Sequence, residues 1–335
     1  MKKSLLASLL LCALSVVGCG GGDDSPSTPT PMLGKVRIGI LQPNHPALEA
    51  AANGFKDYIL NAELSDNEFE FTIYTPNVSG SDINDLAKAI VSTCDMALGI
   101  GTGVSQALKN AVVQKGRVIP TLFTAVTDPV GSGLVASKNN GVGFMCGTSD
   151  MNPVAEQIAL VKQCNPDADK VGVLYTVSEV NSQVQANDAV AAISKAGMEA
   201  VVRTVQGASD ISAVCTELAS VAGLDAIYIP TDNNIAQNPG AVKGTLTGKG
   251  IHVICGEENM LSGCGTVTKS IDYTKLGELT GKMAVSIIKG EVFPYQIPVG
   301  YISDEECEYV MSSTNAASYN ALIPQDVRNR CRDIG

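Results

Sequence analysis

Two similar stretches, KVRIGIL at residues 35–41 and KVGVLY at residues 170–175, each open a series of alternating strand and helix patterns. Both are short, apolar and rich in Val and Ile, which is typical of strands that are buried on both faces. After the first stretch, residues 47–60 place apolar side chains such as Phe55 and Ile59 at helical spacing. This alternation predicts parallel sheets with helices on both faces.

Each series contains enough elements for a separate lobe. The first has predicted strands at 36–41, 69–74, 96–100 and 119–124, with helices at 47–60, 82–93 and 104–114; the second has strands at 170–175, 199–205, 225–229 and 251–255, with helices at 181–196, 211–221 and 239–247. A further strand (266–271) and helix (273–289) exceed what the second series needs, so we expect them to return to the first lobe.

The predicted fold is therefore α/β, with two doubly wound parallel-sheet lobes joined by a hinge that the chain crosses several times. The first lobe would comprise residues 35–147 plus 264–293, and the second residues 148–263 plus 294–335. The crossings would lie near 147–150, 258–263 and 292–298. Ligands bind beyond the carboxyl ends of parallel strands, so we expect the binding site in the cleft between the lobes.

The composition excludes several classes of protein. With 335 residues, of which 45% are hydrophobic, the chain is neither disordered nor too short for two cored domains. Its 23 basic and 34 acidic residues give a net charge of −11, which argues against a nucleic-acid partner. Only two His residues and no CxxC motif are present, so we predict no metal site and no cofactor.

The N-terminus resembles an export signal. Two Lys residues precede an apolar run at residues 5–17, and the segment ends in VVGC at residues 16–19. This pattern is similar to a bacterial lipobox, in which Cys19 is lipidated; ordinary cleavage near Gly18 is the alternative. Residues 20–34 are rich in Gly, Ser, Thr and Pro and predict a flexible tether. We expect an extracytoplasmic protein, lipid-anchored to the bacterial cell membrane.

Eight of the ten Cys residues remain once the signal and the lipidated position are set aside. Export would permit disulfides, but spacing does not choose among the many possible pairings. Cys307 and Cys331 bracket the C-terminal tail and are the pair that we predict. Buried free thiols are the alternative.

A glycine-rich turn, GIGTG at residues 99–103, joins a predicted strand to a predicted helix. Backbone N–H groups at the start of a helix attract an anion, and the hydroxyls of Thr102 and Ser105 add donors. The turn does not satisfy GxGxxG and follows the third strand, which argues against a dinucleotide. A carboxylate is the anion that this turn suits; a tight turn that needs Gly for its backbone alone is the alternative.

In the second half, Asp232 follows a predicted strand directly and is expected to face the cleft. No Lys or Arg lies near it in sequence, so a ligand ammonium group is one possible partner; capping the next helix is the other. Glu179 could bind an ammonium group in the same way, but we expect it to be solvated at the rim of the cleft. Asn181 and Ser182 would cap their helix or donate to the ligand.

His45 lies between Asn44 and Pro46 and could be read as a general base. No GxSxG nucleophile motif accompanies it, so we interpret it as a loop residue that shapes the pocket. Asp128-Pro129 is interpreted as a turn.

Six strings together are similar to the solute-binding lipoproteins of a bacterial ABC-importer family that includes tryptophan and phenylalanine binders. They are GILQPNHPALEAAANGFKDY (39–58), LGIGTGVSQAL (98–108), IPTLFTAVTDPVGSGLV (119–135), KVGVLYTVSEVNSQVQ (170–185), DAIYIPTDNN (225–234) and SIDYTKLGELTGKMA (270–284). The resemblance runs from about residue 35 to 303. It implies a type I periplasmic-binding fold and an import receptor rather than an enzyme.

The resemblance also implies a ligand and a set of ligand-binding positions. The ligand would be a small α-amino acid, with aromatic amino acids among the candidates, and an ABC permease and its ATPase would be the protein partners. Lobe one would hold the α-carboxylate through hydroxyls and N–H groups such as those at Thr102 and Ser105, and lobe two the α-ammonium through an acid such as Asp232. The family's ligand loops fall on Gln42, His45, Pro46, Thr102, Gly103, Ser105, Gln106, Thr124, Ala125, Val126, Glu179, Asn181, Ser182, Asp232 and Asn233.

Other functions stay open at this point. A receptor for a sugar, a nucleoside or another polar solute would have the same fold, although the chain has no Trp to stack on a sugar ring. An exported hydrolase that uses His45 or a Cys, or a sensor domain, are alternatives from other classes.

Overall fold

The computed structural model describes residues 28–77 and 80–335, so the predicted signal segment, Cys19 and most of the tether lie outside the described residues. Within the described ranges, no helix has both the length and the apolar character needed to cross a bilayer.

The first half of the chain builds a parallel sheet flanked by helices. Its elements are β1 (Gly34–Leu41), α1 (Pro46–Leu60), β2 (Asn67–Tyr74), α2 (Ile83–Thr93), β3 (Met96–Ile100), α3 (Thr102–Lys115), β4 (Thr121–Thr124) and β5 (Met145–Ser149). Every residue of β3, β4 and β5 is buried, as expected for strands covered on both faces. The sheet therefore forms the centre of the first lobe.

The next segment builds a second sheet of the same kind. Its elements are α4 (Val154–Cys164), β6 (Lys170–Thr176), α5 (Val180–Lys195), β7 (Glu199–Val205), α6 (Ile211–Ala219), β8 (Ala226–Ile229), α7 (Asn233–Ala236), α8 (Pro239–Leu246), β9 (His252–Cys255), α9 (Glu258–Cys264) and β10 (Val267–Ser270). The chain then returns to the first lobe through α10 (Tyr273–Ile288) and β11 (Gly300–Tyr301), and ends in the second with β12 (Glu308–Met311), α11 (Ser313–Tyr319), α12 (Gln325–Arg328) and β13 (Arg332–Asp333).

The first five strands along the chain have the same order in both sheets. The first runs β11-β5-β4-β3-β1-β2, and the second runs β13-β12-β10-β9-β8-β6-β7. All pairs are parallel except β10 with β12, which is antiparallel. In each sheet the order reverses beside the opening strand, between β1 and β3 and between β6 and β8. This is the doubly wound pattern, and it confirms the predicted fold class.

The lobe membership of three segments differs from the sequence-based prediction. Strand β10 pairs with β9 in the second sheet, whereas only the helix after it, α10, packs on the first lobe. Residues 258–263 lie in helix α9 rather than in a crossing, and β11 pairs with β5 in the first sheet. The chain consequently crosses between lobes near 150–153, 271–272 and 302–307. Hydrogen bonding between distant strands decided these placements, and periodicity does not report it.

Helices α1 and α10 pack at very close range. A Cβ atom added at Gly277 would lie 2.0 Å from the carbonyl oxygen of Ala51, and one at Gly54 would lie 2.1 Å from that of Thr274. Only glycine leaves room for backbones to approach so closely. This contact attaches the returning helix to the first lobe.

The predicted Cys307–Cys331 pair does not form. Both thiols are free, and Cys307 packs in the apolar core of the first lobe while Cys331 packs against that of the second. The chain passes from the first lobe to the second directly after Cys307, so the two thiols lie in different cores.

Candidate functional site

A cleft of about 290 Å³ lies between the lobes, at the carboxyl ends of both sheets. The loops after β1 and β3 enter it from the first lobe, and those after β6 and β8 from the second. These are the topological switch points of the two sheets, where neighbouring connections diverge and leave a crevice. The cleft is lined by Pro43, Leu48, Ile83, Gly101, Thr102, Gly103, Val104, Gln106, Ala125, Thr127 and Asp150 of the first lobe and Ser178, Glu179, Val180, Asn181, Thr231 and Asn233 of the second.

The start of α3 forms one wall. Gly101 is the N-cap residue with a φ of +100°, and Thr102, Gly103 and Val104 follow it along the cleft. The first N–H groups of a helix have no partner within the helix, and the dipole of this 14-residue helix makes its start positive. Ser105 is different: it is fully buried, and its hydroxyl donates to the Gly101 carbonyl oxygen at 2.7 Å. Its side chain stabilises the turn and does not line the cleft.

The loop after β4 forms the adjoining wall. Ala125 lines the cleft with a φ of +54°, a left-handed conformation that non-glycine residues rarely adopt. On either side of it, Thr124 and Val126 point away from the cleft and are buried. The Thr124 hydroxyl lies 2.9 Å from that of Thr148, in a chain that continues to Thr280 at 2.8 Å. The two predicted neighbours of Ala125 therefore support the loop from behind.

Asp150 is the most deeply buried acid of the cleft. It follows β5 at the first crossing between the lobes and is only 3% exposed. Its Oδ1 accepts from the Thr127 hydroxyl at 3.0 Å and its Oδ2 from the Tyr273 hydroxyl at 3.0 Å. Burial raises the pKa of the Asp150 carboxyl, against the lowering effect of these two donors. Asp150 was not among the predicted site residues because the sequence pattern did not predict strand β5.

Glu179 lines the opposite wall with its carboxylate held by the second lobe. Oε2 accepts from the backbone and side-chain nitrogens of Asn233 at 2.9 and 2.8 Å, and Oε1 accepts from the backbone of Asn234 at 2.9 Å. The prediction of a solvated rim residue is wrong, because the start of α7 supplies these donors. Burial, followed by the nearby charge of Asp232, raises the pKa of Glu179.

Asp232 lies behind this wall and is not among the residues that line the cleft. It is 1% exposed and caps α7, with Oδ1 accepting from the Ile235 backbone at 3.0 Å. Thr176 donates its backbone N–H at 2.6 Å and its hydroxyl at 2.8 Å to the same carboxylate. Burial raises the pKa of Asp232. Of its two predicted roles, the helix cap describes this geometry.

Asn181 and Ser182 both donate to the Thr231 carbonyl oxygen at 2.9 Å. They fix the loop after β8 against the start of α5. Asn181 also reaches the cleft, whereas Ser182 is fully buried. The two residues were predicted to have the same role, but only Asn181 can contact a ligand in the cleft.

The loop after β1 contributes less than predicted. His45 is 4% exposed and caps α1, its Nδ1 accepting from the Ala47 backbone at 3.2 Å. Burial lowers its pKa to about 4, so the imidazole is neutral at pH 7. Gln42 is buried, and its Oε1 has no hydrogen-bond partner within residues 28–77 and 80–335. Neither these side chains nor Pro46 lines the cleft, where Pro43 and Leu48 are found instead.

The cleft thus gathers about half of the predicted positions. Those that line it are Thr102, Gly103, Gln106, Ala125, Glu179, Asn181 and Asn233, while Gln42, His45, Pro46, Ser105, Thr124, Val126, Ser182 and Asp232 stand behind them. The lining side chains missed by the sequence analysis include Thr127, Asp150, Ser178 and Thr231. Among all described residues, no group of three or more His, Cys, Asp or Glu side chains is arranged to hold a metal ion.

Chemically, the cleft contains groups that suit an anion and groups that suit a cation. The start of α3 offers N–H groups, while Asp150 and Glu179 offer carboxylates. Within the part of the lining that the structure describes, there is no Lys, Arg or His side chain to neutralise these acids. Apolar side chains of Pro43, Leu48 and Ile83 lie beside them.

Comparisons with known proteins agree with this arrangement. A curated tyrosine-binding protein of Clostridioides difficile is 30% identical over 315 residues, covering 91% of this chain and 89% of that protein. The structure is similar to an ABC domain from Streptococcus pneumonia in complex with L-Trp, at 28% identity, with a TM-score of 0.79 over 89% of this chain and 99% of that one. It is also similar to the ligand-free, open structure of a substrate binding protein with adhesive properties from Clostridium difficile, at 29% identity, with a TM-score of 0.69 over the same shares.

The family model for ABC transporter substrate binding proteins matches residues 37–331, which is nearly the whole of the described chain. With the two-lobed fold and the interlobe cleft, this match shows the family. The chain belongs to the ABC transporter substrate binding proteins.

Proposed function

We propose that this protein binds an aromatic L-α-amino acid in the cleft between its lobes. The observation that carries the proposal is the presence of both kinds of group in one cleft: helix N–H groups at the start of α3, and the carboxylates of Asp150 and Glu179 without a basic partner among the described lining residues. A zwitterion matches both kinds of group at once, because each of its charges meets an opposite one in a desolvated site.

The ligand carboxylate would bind at the start of α3. The N–H groups of Thr102, Gly103 and Val104 are available there, and the Thr102 hydroxyl adds a donor. Ser105 takes no direct part, since its hydroxyl is held by Gly101.

The ligand ammonium would bind Asp150. A carboxylate has about four acceptor positions, and the side chains of Thr127 and Tyr273 occupy two of those of Asp150. Glu179 already accepts the two backbone N–H groups and the amide of the Asn233–Asn234 segment, so less of its capacity is free. Asp150 is therefore the acid with room for a cation.

The ligand side chain would lie among Pro43, Leu48, Ile83 and Val180. These residues line the cleft, and together they favour an apolar group. The described lining contains no aromatic side chain, so nothing there provides the ring stacking that commonly holds a sugar. Relatives named for tyrosine and solved with L-Trp, at 30% and 28% identity, support an aromatic amino acid.

We also propose that the protein is exported, anchored by lipid on Cys19, and delivers its ligand to an ABC permease driven by a separate ATPase. The signal-like residues 1–19 and membership of an ABC transporter family support this proposal. Radiolabelled palmitate incorporated into the wild-type protein, and lost in Cys19→Ala, would test the anchor.

Binding can be tested by calorimetry with L-Tyr, L-Trp and L-Phe. We expect saturable heat with at least one of these amino acids. We expect none with 3-(4-hydroxyphenyl)propionate, which lacks the amine, or with tyramine, which lacks the carboxylate. D-Ribose and adenosine test the alternative solutes. Binding of either, without binding of any amino acid, would contradict the proposal.

Asp150→Asn should weaken amino-acid binding by about 3 kcal/mol, because the ammonium loses a charged partner in a desolvated site. Glu257→Gln is the comparison variant, because it removes another fully buried carboxyl, one that does not line the cleft. Glu257 acts on the ligand site only through Tyr273, so its loss should weaken binding less than Asp150→Asn does. Asp232→Asn decides between the two acids. If it abolishes binding while Asp150→Asn does not, the ammonium lies against the second lobe and our assignment is wrong.

A further inference from the structure

We propose that Tyr273 is a positioning residue that keeps Asp150 oriented and ionised for the ligand ammonium; this inference rests on the proposed function. Tyr273 is the first residue of α10, directly after the second crossing between the lobes. Its ring packs in the apolar core of the first lobe and is 5% exposed. From there its hydroxyl donates to Asp150 Oδ2 at 3.0 Å.

The hydrogen bond joins two separate passages of the chain between the lobes. Asp150 lies at the first crossing and Tyr273 at the second, 123 residues apart in sequence. The Thr127 hydroxyl donates to the other carboxylate oxygen at 3.0 Å. With both oxygens held, the plane of the carboxylate is fixed in the wall of the cleft before any ligand arrives, which reduces the entropy that binding must remove.

Asn152 provides a second link between the same two crossings. Its Nδ2 donates to the Asp150 carbonyl oxygen at 3.1 Å, and its Oδ1 accepts from the Ile271 backbone at 3.3 Å. The crossings therefore stay together when the Tyr273 hydroxyl is removed. Tyr273→Phe should therefore act mainly on the carboxylate, although it also removes a contact of the hydroxyl with the Thr231 side chain.

The hydroxyl also affects the charge of Asp150. Burial raises the pKa of this carboxyl, while hydrogen bonds from Thr127 and Tyr273 favour its ionised form and lower the pKa again. The other titratable groups of the neighbourhood are acids: Glu257 acts on Tyr273, and Glu179 lines the opposite wall. Since no described basic side chain lines the cleft, donated hydrogen bonds are what keep Asp150 charged.

The test is calorimetric titration of L-Tyr or L-Trp from pH 4.5 to 8.5. In the wild-type protein, affinity should fall on acidification as Asp150 takes up a proton. In Tyr273→Phe this fall should begin about one pH unit higher, with affinity about tenfold lower within that window, because one hydrogen bond to the ionised form is gone. Thr127→Val removes the other donor and should shift the profile in the same direction.

Tyr319→Phe is the matched control. Its hydroxyl is also buried and donates to the Cys264 carbonyl oxygen at 2.8 Å, but in the core of the second lobe and away from the cleft. It should leave the pH profile unchanged even if it lowers the melting temperature. The contrasting result is that Tyr273→Phe lowers the affinity equally at every pH, with the fall on acidification beginning at the same pH as in the wild type. That result would show that Tyr273 contributes only to packing.

A ligand-free measurement separates this inference from the proposed function. Carbon-13 NMR of the Asp carboxyl groups gives the pKa of Asp150 directly, with Asp150→Asn to assign the resonance. An upward shift in Tyr273→Phe supports the positioning role even if no amino acid binds. An unchanged pKa overturns it, whatever the calorimetry shows.

Discussion

At the scale of single residues, Glu257 shows how strongly burial can raise the pKa of a carboxyl group. It is fully buried and caps α9, accepting from the backbones of Asn259 and Met260 at 2.6 Å each. Burial nevertheless raises its pKa from 4.5 to about 7. Two hydrogen bonds do not offset the loss of hydration, so the group holds a proton more tightly in the folded chain than in the unfolded chain.

This shift predicts a pH dependence of stability. Between pH 4.5 and 7 the folded state binds more protons at Glu257 than the unfolded state does, so the contribution of this group falls as the pH rises through that window and is constant above it. The loss is about 3 kcal/mol. Glu257→Gln removes it, so the stability of the variant relative to the wild type should rise from pH 5 to pH 8.

Urea denaturation at both pH values measures this difference, and comparison within each pH cancels the contributions of the other acids. A stability difference that does not change with pH would show that Glu257 titrates normally. The Gln side chain has one acceptor oxygen in place of two, so one of the N–H groups of Asn259 and Met260 loses its partner. That loss is present at both pH values, so it does not produce a difference between them.

At the scale of elements, the pairing of α1 with α10 determines where the returning chain binds. Close approach of the two backbones at Gly54 and Gly277 buries apolar side chains such as Phe55, Leu276 and Ile288 in one core. Burial of a large apolar side chain contributes about 1.5–3 kcal/mol. This helix pair therefore supplies much of the attachment of the C-terminal region to the first lobe.

Gly277→Ala should destabilise the protein by about 1–3 kcal/mol, because the new Cβ meets the Ala51 carbonyl oxygen and the helices must separate. Gly244→Ala in α8 is the matched control. Gly244 is exposed and has no atom within 4 Å of an added Cβ, so alanine should stabilise that helix by about 0.5–1 kcal/mol. Chemical denaturation of both variants checks the opposite signs, and equal effects would contradict the packing explanation.

At the scale of the whole molecule, the structure is more similar to a liganded relative than to an open one. The TM-score is 0.79 against the structure with L-Trp and 0.69 against the ligand-free, open structure, although the identities of 28% and 29% are nearly equal. We therefore expect this structure to be the more closed of two lobe arrangements. A ligand that contacts both lobes would shift the equilibrium from the open to the closed arrangement.

Small-angle scattering tests this interpretation. Without ligand, the radius of gyration should exceed the value calculated from this structure, and saturating aromatic amino acid should reduce it. Asp150→Asn should show less contraction at a ligand concentration that saturates the wild type, because its weaker binding leaves fewer molecules liganded. The same radius in both wild-type samples would indicate that the lobes do not move.

Local patterns in the sequence were sufficient to predict the class of the fold and the family. The Val- and Ile-rich runs that open each lobe, and the helical spacing between them, are properties of neighbouring residues, so they can be read locally. The comparisons confirmed both conclusions. The glycine turn before α3 was found for the same reason, since a φ of +100° at Gly101 is a local requirement. The ligand-binding roles of individual residues stay predictions.

Long-range contacts determine which sheet a strand joins and which way a side chain faces, and these contacts are visible only in the folded molecule. Strand β10 and helix α10 are adjacent in sequence but belong to different lobes, because each follows its own long-range pairing. Asp150 and Asp232 both follow strands, yet one lines the cleft and the other caps a helix behind it. The direction of each carboxylate depends on donors that lie far away in sequence, Tyr273 for Asp150 and Thr176 for Asp232, and local patterns contain no information about such partners.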